Sequence, residues 1–463
     1  MLTVGPQVCT RVRIASTTRS EVRVPYTDEE LGYTAPRIDA CSAKRSFQYH
    51  FGKFQEAKAR AASKPGNSHS QEEPSGSSPA VTCEDSRTGA NSSTSFNRRK
   101  AVATTLRRFM PWRCDLAGAA DPTEWFEQQF TIAMSEIDMD STPGFCAFAT
   151  LGTTNGEILG WDGVDFDPER LEYVRGQVYA RFCALLDGSM EADPIKVFVK
   201  QEPVKLKKHN DQAYRLISGV SLTDCLIDRI LFGWLLRIVL DKVLETPSMI
   251  GWSPVRGGWR YVKGLFSGKP VVCLDRSAWD WTVVGWMIED FESFILDLPV
   301  NAPLWWKEMV RKRLYLLYHS AVFRFQDGTE VEQDEWGIQK SGSLLTIIFN
   351  TVMQIMLHAR VRPDCNKPII ALGDDTAQET PDDLEEYVRS LESLGPKLKG
   401  AKVQHWVEFA GFVFLQTTCF PAYWKKHLYK LKYAENPLET LQSYQILYSH
   451  NPAMFEYLES ELT

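Results

Sequence analysis

Apolar and polar positions follow two periods along this chain. In residues 167–188, DPERLEYVRGQVYARFCALLDG, apolar side chains recur three or four positions apart, which is the spacing of an amphipathic helix. Short runs rich in β-branched residues lie between such segments and predict strands, namely KVFVK, PVVCLD and PIIALG. Many helices with few, short strands predict an α+β protein whose small sheet packs against helices.

The first hundred residues have a different texture. Residues 61–97 are rich in Ser, Gly and Pro and lack apolar periodicity, so we expect residues 1–104 to form a largely disordered N-terminal extension. The basic patch that begins at Arg98 predicts the solvated start of a helix. We expect Asp290 to lie on the solvated face of a helix. The apolar segment 225–243 carries charged residues along its length, which favours an amphipathic core helix over a membrane span.

Composition excludes some classes of protein. The 463 residues carry 52 Lys and Arg against 59 Asp and Glu, a formal net charge of −7, so a polyanionic partner would have to bind in a local basic channel. The cysteines are scattered with no CxxC pair, which argues against a zinc site or a disulfide framework and favours a reducing compartment. The N-terminus has no pattern typical of a secretory signal.

Two predicted strands end in acidic residues. IIALGDD places Asp374 and Asp375 at the tip of a hairpin, and KPVVCLDRSAWD places Asp275 at a strand end with Asp280 five positions later. If the strands are neighbours, Asp275 faces Asp374 and three carboxylates converge. Because like charges repel, such a cluster needs a proton or a cation. Oxygen ligands without His or Cys select Mg²⁺, or Mn²⁺ in its place, rather than zinc.

Two further segments predict contacts with a phosphorylated sugar. In KSGSLLTIIFN a helix begins at Lys340 or Ser341, Gly342 permits close backbone approach, and Thr346 and Asn350 lie four residues apart on one face. An Asn and a Ser suit a ribose 2′-hydroxyl, which both donates and accepts hydrogen bonds. Upstream, a loop forms a local positive site suited to a triphosphate through Lys200, Lys205, Lys207, Lys208 and Arg215.

The order of these segments is basic loop, D-x4-D, SGxxxTxxxN and GDD, and it resembles the RNA-dependent RNA polymerases of positive-strand RNA viruses. The likeness is greatest to the sobemovirus-like group, through FVKQEPVKLKKHNDQAYRLISGVSLTDCLIDRILFG (198–233) and STPGFCAFATLGTTNGEILGW (141–161). It implies a right-hand fold with fingers, palm and thumb, in which a small antiparallel palm sheet packs on helices. The polymerase domain would span 105–463, with fingers and palm interleaved over 105–415 and a small thumb over 416–463.

The resemblance also implies a role for each site residue. Asp275 and Asp374 match the principal metal ligands of the family, and Asp375 matches an assisting one. The residues implied to bind the nucleotide are Lys200, Lys208, Arg215, Asp280, Ser341, Thr346 and Asn350. The residues implied to guide the template are Ser141, Thr142, Pro143 and Gly144. Lys399 is the implied general acid for departing pyrophosphate, with Lys397 and Lys402 as alternatives, and residues 407–414 match a hairpin that supports the primer.

By this resemblance the protein copies viral RNA from ribonucleoside triphosphates by two-metal nucleotidyl transfer, in genome replication and transcription. Its implied partners are a single-stranded RNA template, nascent RNA and other viral replication proteins. Its implied place is the host cell cytoplasm, at membrane-associated replication complexes. Related viruses make such proteins within a larger polyprotein.

Other functions use parts of the same pattern. A reverse transcriptase shares the palm acids, but Asp280 and Asn350 favour acceptance of a 2′-hydroxyl. A metal-dependent nuclease can use three acids, yet it does not need the basic loop. A catalytically idle RNA-binding or scaffold protein can keep the fold, although it has no reason to hold mutually repelling carboxylates.

Overall fold

The computed structural model describes residues 24–39, 41–63 and 92–461. In chain order, its first elements are α1 (Asp28–Leu31), β1 (Tyr33–Thr34), α2 (Ser42–Ala62), α3 (Ser92–Arg108), α4 (Pro122–Glu136), α5 (Asn155–Leu159), α6 (Pro168–Leu186), β2 (Ile195–Val199), β3 (Val204–Lys205), α7 (Leu206–Asn210), β4 (Leu216–Gly219) and α8 (Leu222–Asp241). They continue with α9 (Trp259–Leu265), β5 (Val271–Arg276), α10 (Trp279–Thr282), α11 (Gly285–Asp297), α12 (Leu304–Tyr318), β6 (Val322–Arg324) and β7 (Glu330–Glu332). The last elements are α13 (Thr346–Val361), β8 (Ile369–Leu372), β9 (Asp375–Glu379), α14 (Leu384–Glu392), β10 (Leu398–Gln404), β11 (Val407–Phe409), β12 (Phe412–Phe414), β13 (Cys419–Pro421), α15 (Trp424–Lys432), α16 (Pro437–Leu447) and α17 (Pro452–Ser460).

A four-stranded antiparallel sheet in the order β10–β5–β9–β8 carries the acidic strand ends. Apolar residues along these strands, such as Val272 and Ala371, are fully buried, which is what keeps the short β-branched runs extended. Helix α13 packs against β8, and α14 packs against β10. The predicted α+β class, with small sheets packed on helices, is therefore confirmed.

The described part of the chain contains further sheets. Strands β4–β2–β6–β7 form a mixed sheet in which β2 and β6 are parallel, and β11–β12–β13 form an antiparallel sheet. The hairpin expected over residues 407–414 is confirmed by the pairing of β11 with β12. Its turn residues Ala410 and Gly411 both have positive φ, 51° and 76°, as a tight hairpin turn requires.

The expected disorder of residues 1–104 is wrong for the residues of that segment that the structure describes. Helix α2 spans Ser42–Ala62, and its Phe47, Phe54 and Ala57 lie in the main hydrophobic core. These three positions follow helical spacing, so one face of α2 buries apolar surface although the segment as a whole is polar. Strand β1 pairs with β3, and Asp28 of α1 accepts a hydrogen bond from Lys432 of α15 (2.8 Å).

Two charged residues that the sequence assigns to amphipathic surfaces are fully buried. Asp290 was expected on a solvated face, but its carboxylate accepts from Arg98 (2.7 Å) and Arg360 (2.6 Å). Asp228 of α8 pairs with Arg313 of α12 at 2.6 Å. Buried carboxylates persist when a cation compensates them, and none of these three arginines is near its carboxylate in sequence. Among the described residues, none of the helices combines the length and apolarity needed to cross a bilayer.

Candidate active site

The acidic residues meet at one end of the central sheet. Gly373 and Asp374 form the two-residue turn between β8 and β9, and Gly373 has a φ of +61°. Because Leu274 pairs with Thr376, the next residue on β5, Asp275, comes level with Asp375 rather than with Asp374. The two strands are neighbours as expected, with the register shifted by one residue from the expected facing pair, and the convergence of three carboxylates on one point stays a prediction.

Burial and mutual repulsion perturb these carboxyl groups. The pKa of Asp375 is raised to about 7, chiefly by burial and then by the charges of Asp374 and Asp275. Burial, followed by the charge of Asp275, also raises the pKa of Asp374. The pKa of Asp280 rises to about 6, chiefly through burial and then through Asp374. Each group thus senses its neighbours' charges, as carboxylates in one shared site do.

The donor set fits a hard divalent cation. Asp275, Asp374 and Asp375 offer only carboxylate oxygens, which suit Mg²⁺ or Mn²⁺ and not zinc. Within the described residues, no three acidic, His or Cys side chains already stand close enough together to hold a metal ion. Instead the Lys399 ammonium donates to both carboxylate oxygens of Asp275, each at 2.7 Å, and compensates part of the negative charge. A bound cation would draw the strand-end carboxylates together.

The free energy of unfolding of the metal-free protein should fall as pH rises from about 4 to about 7. The pKa of Asp375 in the folded protein, about 7, exceeds that of an unfolded Asp, about 3.9. The folded state therefore keeps a proton that the unfolded state releases across this window, and deprotonation costs stability. Urea unfolding across the window, compared with Asp375→Asn, measures the effect, and the variant should lose less stability. An equal loss in both proteins would contradict the raised pKa.

The segment before α13 is fastened to strand β4. Helix α13 begins at Thr346, later than the expected Lys340 or Ser341, since residues 341–345 form turns. Ser341 Oγ accepts a hydrogen bond from the Ser218 amide at 3.1 Å. Gly342 donates its amide to the Ser218 carbonyl, and a Cβ on Gly342 would lie 2.6 Å from that oxygen. The expected close backbone approach at Gly342 is confirmed, and it stops the helix from starting earlier.

Thr346 and Asn350 do not act as a matched pair. The Thr346 hydroxyl donates towards the carbonyls of Lys340 (2.7 Å) and Ser343 (2.8 Å), so it stabilises the turn that precedes α13. Asn350 instead points to the acids, and its Nδ2 donates to Asp280 Oδ1 at 3.5 Å. The neighbouring Thr351, which sequence reasoning passed over, accepts from the Gly373 amide at 2.9 Å and holds the acidic turn.

Basic residues of the 200–215 segment lie within electrostatic reach of Asp374 and Lys399. Burial lowers the pKa of Lys208, and the charges of Lys399 and then Arg215 lower it further. The charge of Arg215 in turn opposes the raised pKa of Asp374. Burial opposes the lowered pKa of the half-buried Glu202, which results from Lys426, then Arg215, and to a smaller extent Lys200. Arg215 therefore lies within electrostatic reach of Asp374, Lys208 lies within reach of Lys399 and Arg215, and Lys200 lies near Glu202.

Glu202 was not identified from the sequence as a residue of the site. It accepts from Lys426 of α15 at 3.1 Å and from Arg215 at 3.3 Å, so it ties the basic loop to the C-terminal helices. Its position within a lysine-rich run is the only local signal for this role. Glu408 and Tyr423 were also missed, and they line a cavity of about 240 Å³ with Asp275, Asp375 and Lys399.

The turn Ser141–Gly144 lies against α8 rather than beside the acids. The Leu222 amide donates to the Pro143 carbonyl at 2.8 Å, and Ser141 Oγ donates to Asp138 at 2.8 Å. Gly144 has a φ of +71°, and a Cβ there would lie 3.0 Å from Ser221 Cα. Thr142 is exposed at this turn.

Lys397 and Lys402 are the other two lysines of the segment that contains Lys399. The Lys397 carbonyl accepts from the Ser277 amide at 2.8 Å, while its ammonium charge acts on Glu56 of α2. The side chain of Lys402 lies outside the described residues. Lys399 is the lysine of these three whose described ammonium contacts an acid of the site.

An α+β fold with carboxylates at neighbouring antiparallel strand ends, and with an arginine within electrostatic reach of them, is compatible with a template-directed nucleotide polymerase. A family model described as viral RNA-dependent RNA polymerase matches residues 105–444. The chain belongs to this family.

Relatives support the resemblance to the sobemovirus-like group. The chain is 26% identical over 376 residues to "Replicase polyprotein P2AB" of Southern cowpea mosaic virus, covering 75% of this chain and 37% of the relative. It is 32% identical to "Protein P1-P2" of Potato leafroll virus, covering 75% and 35%. It is 31% identical to "Replicase polyprotein P2AB" of Southern bean mosaic virus, covering 51% and 25%. The chain thus spans between 25% and 37% of the length of these relatives.

Proposed function

We propose that this chain is an RNA-directed RNA polymerase that copies viral RNA from ribonucleoside triphosphates, in genome replication and transcription. One observation carries the proposal: the charges of Asp275 and Asp374 act on Asp375 at neighbouring strand ends, and the positive charge of Arg215 acts on both Asp374 and Lys208. A polymerase needs acids to hold cations and bases to hold a triphosphate at the same point. Two of the relatives described above are named replicase polyproteins, which supports the same function.

In the proposed fold, the palm contains the β10–β5–β9–β8 sheet, the fingers interleave with it over 105–415, and the thumb spans 416–463 with helices α15 to α17. Asp275 and Asp374, assisted by Asp375, would hold two Mg²⁺ ions, for which Mn²⁺ can substitute. When bound, the ions would supply positive charge for activation of the 3′-hydroxyl and for stabilisation of the leaving oxygen. The site would work in the host cell cytoplasm with other viral replication proteins.

The chain's own residues orient the reactants. Lys200, Lys208 and Arg215 bind the triphosphate of the incoming nucleotide and neutralise charge in the transition state. The 3′-hydroxyl oxygen of the growing RNA bonds to the α-phosphorus, the hydroxyl proton passes to solvent water, and the bond to pyrophosphate breaks. Lys399 donates a proton to the departing pyrophosphate. The turn Ser141–Gly144, with Thr142 exposed, guides the template.

Incorporation of labelled ribonucleotide on a single-stranded RNA template, with Mg²⁺ or Mn²⁺, tests the proposal. We expect template-length RNA whose sequence is complementary to the template. RNA binding without synthesis, on both primed and unprimed templates, would overturn the polymerase and favour a scaffold. Preference for deoxyribonucleotides would favour a reverse transcriptase.

Lys399→Leu should lower kcat by about a hundredfold and change KM little, because proton donation by a positioned acid typically contributes at least this much. The Lys399–Asp275 ion pair is half-exposed, so its loss should change stability by less than about 1 kcal/mol. Single-nucleotide incorporation measures both constants. Lys397→Leu is the matched control, since its charge acts on Glu56. An equal fall in kcat in both variants would argue against Lys399 as the acid.

A further inference from the structure

The side-chain amide of Asn350 is held in one orientation by two groups that only donate. Trp279 Nε1–H donates to Asn350 Oδ1 at 2.8 Å. Gln339 Nε2 donates to the same oxygen at 3.2 Å. An indole N–H cannot accept a hydrogen bond, so the atom that faces it must be the amide oxygen. The Asn350 Nδ2 group is thereby turned towards Asp280.

Gln339 is fixed in the same way. Its Oε1 accepts from the backbone amide of Lys340 (2.9 Å) and from the Tyr318 hydroxyl (2.7 Å). A backbone N–H only donates, so Oε1 must face Lys340 and Nε2 must face Asn350. Gln339, Trp279, Tyr318 and Asn350 are all buried, which makes a mismatched donor or acceptor costly there.

We propose that Trp279 and Gln339 are positioning residues that set ribose selectivity by fixing the amide orientation of Asn350. This inference rests on the proposed polymerase function. One N–H of Asn350 faces Asp280, and none of the described residues hydrogen-bonds its second N–H or the other Asp280 oxygen, so both can serve a ligand. A 2′-hydroxyl can accept from the first and donate to the second, whereas a deoxyribose leaves both unpaired.

The reversed orientation would remove this match. A turned Asn350 would present Oδ1 to the Asp280 carboxylate, and two acceptors would then face a hydroxyl that has one hydrogen to give. Its Nδ2 would meet the Trp279 N–H, so two donors would also oppose one another. Selectivity therefore depends on residues that need not touch the sugar themselves.

Gln339→Glu is the sharpest test because it keeps the shape and replaces the donor facing Asn350 by an acceptor. We expect the ratio of kcat/KM for a ribonucleotide to that for its 2′-deoxy analogue to fall by about tenfold or more. Gln339→Met removes the donor without adding an acceptor, so its ratio should fall less. Trp279→Phe removes the second donor from the same oxygen and should move the ratio in the same direction.

Gln333→Met is the matched control. Gln333 is also a buried glutamine before α13, but its hydrogen bonds do not involve Asn350. Its Oε1 accepts from Lys340 Nζ (2.6 Å), and its Nε2 donates to backbone carbonyls. Its substitution should leave the ratio unchanged even if the melting temperature falls. A merely structural role of Gln339 would lower the rates with both sugars equally.

The outcomes separate the two proposals. If the unmodified chain polymerises and selects ribose, and Gln339→Glu and Trp279→Phe keep its ratio, the positioning role is wrong while the polymerase stands. A shift with Gln333→Met as large as that with Gln339→Met would also refute the positioning role. If the unmodified chain incorporates no ribonucleotide, the proposed function itself fails.

Discussion

We expect Asp374→Asn to lower ribonucleotide incorporation by about a thousandfold, because a lost metal ligand removes several kcal/mol of charge stabilisation and each 1.4 kcal/mol is about tenfold in rate. Asparagine keeps the size of the side chain, so the β8–β9 turn and the Thr351 hydrogen bond to Gly373 should persist. RNA binding should change little. Single-turnover incorporation together with filter binding of RNA measures both quantities.

The same variant should be more stable than the unmodified chain when metal is absent. The charge of Asp374 raises the pKa of Asp375 and of Asp280, which means that Asp374 repels each of these two carboxylates in the fold. Removal of one charge relieves that repulsion, so the melting temperature at pH 8 should rise while its increase on addition of Mg²⁺ should shrink.

Asp382→Asn is the control for Asp374→Asn, since Asp382 is a highly exposed acid paired with Lys367. Its substitution should change neither incorporation nor the response to Mg²⁺. Full activity in Asp374→Asn, or a melting temperature lower than that of the unmodified chain without metal, would overturn the assignment of Asp374 to a repelling, metal-binding cluster.

Local sequence patterns were enough to predict the strand ends of the site. The apolar runs before Asp275 and Asp374 each form a strand of the central sheet, as expected from their composition. The register was not predictable, because the pairing of Leu274 with Thr376 joins residues a hundred positions apart. A one-residue difference in register is what brings Asp275 level with Asp375.

Long-range pairing also explains the errors. Asp290 was assigned to solvent because nothing near it in sequence compensates its charge, yet Arg98 and Arg360 reach it from α3 and α13. Helix α2 was not predicted, because its segment as a whole is polar. Phe47 and Phe54 of this helix pack into the main core, where Phe47 contacts Phe323, far away in sequence. Ser341 and Gly342 were predicted to lie in a helix because their hydrogen bonds to Ser218, a residue far away in sequence, cannot be predicted from the local pattern.

Asp228→Ala should destabilise the fold by about 3–5 kcal/mol, the usual cost of leaving one partner of a buried ion pair uncompensated. Asp228 and Arg313 are 0% and 2% exposed in their side chains, and Arg313 Nε donates to Asp228 at 2.6 Å. Urea unfolding measures the change in the free energy of unfolding. Asp241→Ala at the exposed end of the same helix is the control, and it should cost less than about 1 kcal/mol.

The double variant Asp228→Leu with Arg313→Met separates charge compensation from packing. Both partners are then apolar and of similar volume, so no buried charge is left unpaired, and the variant should recover most of the stability lost in Asp228→Ala. Asp224 would keep Arg181 as its cation at 3.0 Å, so the loss of Arg313 does not leave it unpaired. A double variant as unstable as Asp228→Ala would mean that α8 and α12 depend on the geometry of the ion pair itself. In that case, the buried charge of Asp228 would specify how α8 packs against α12.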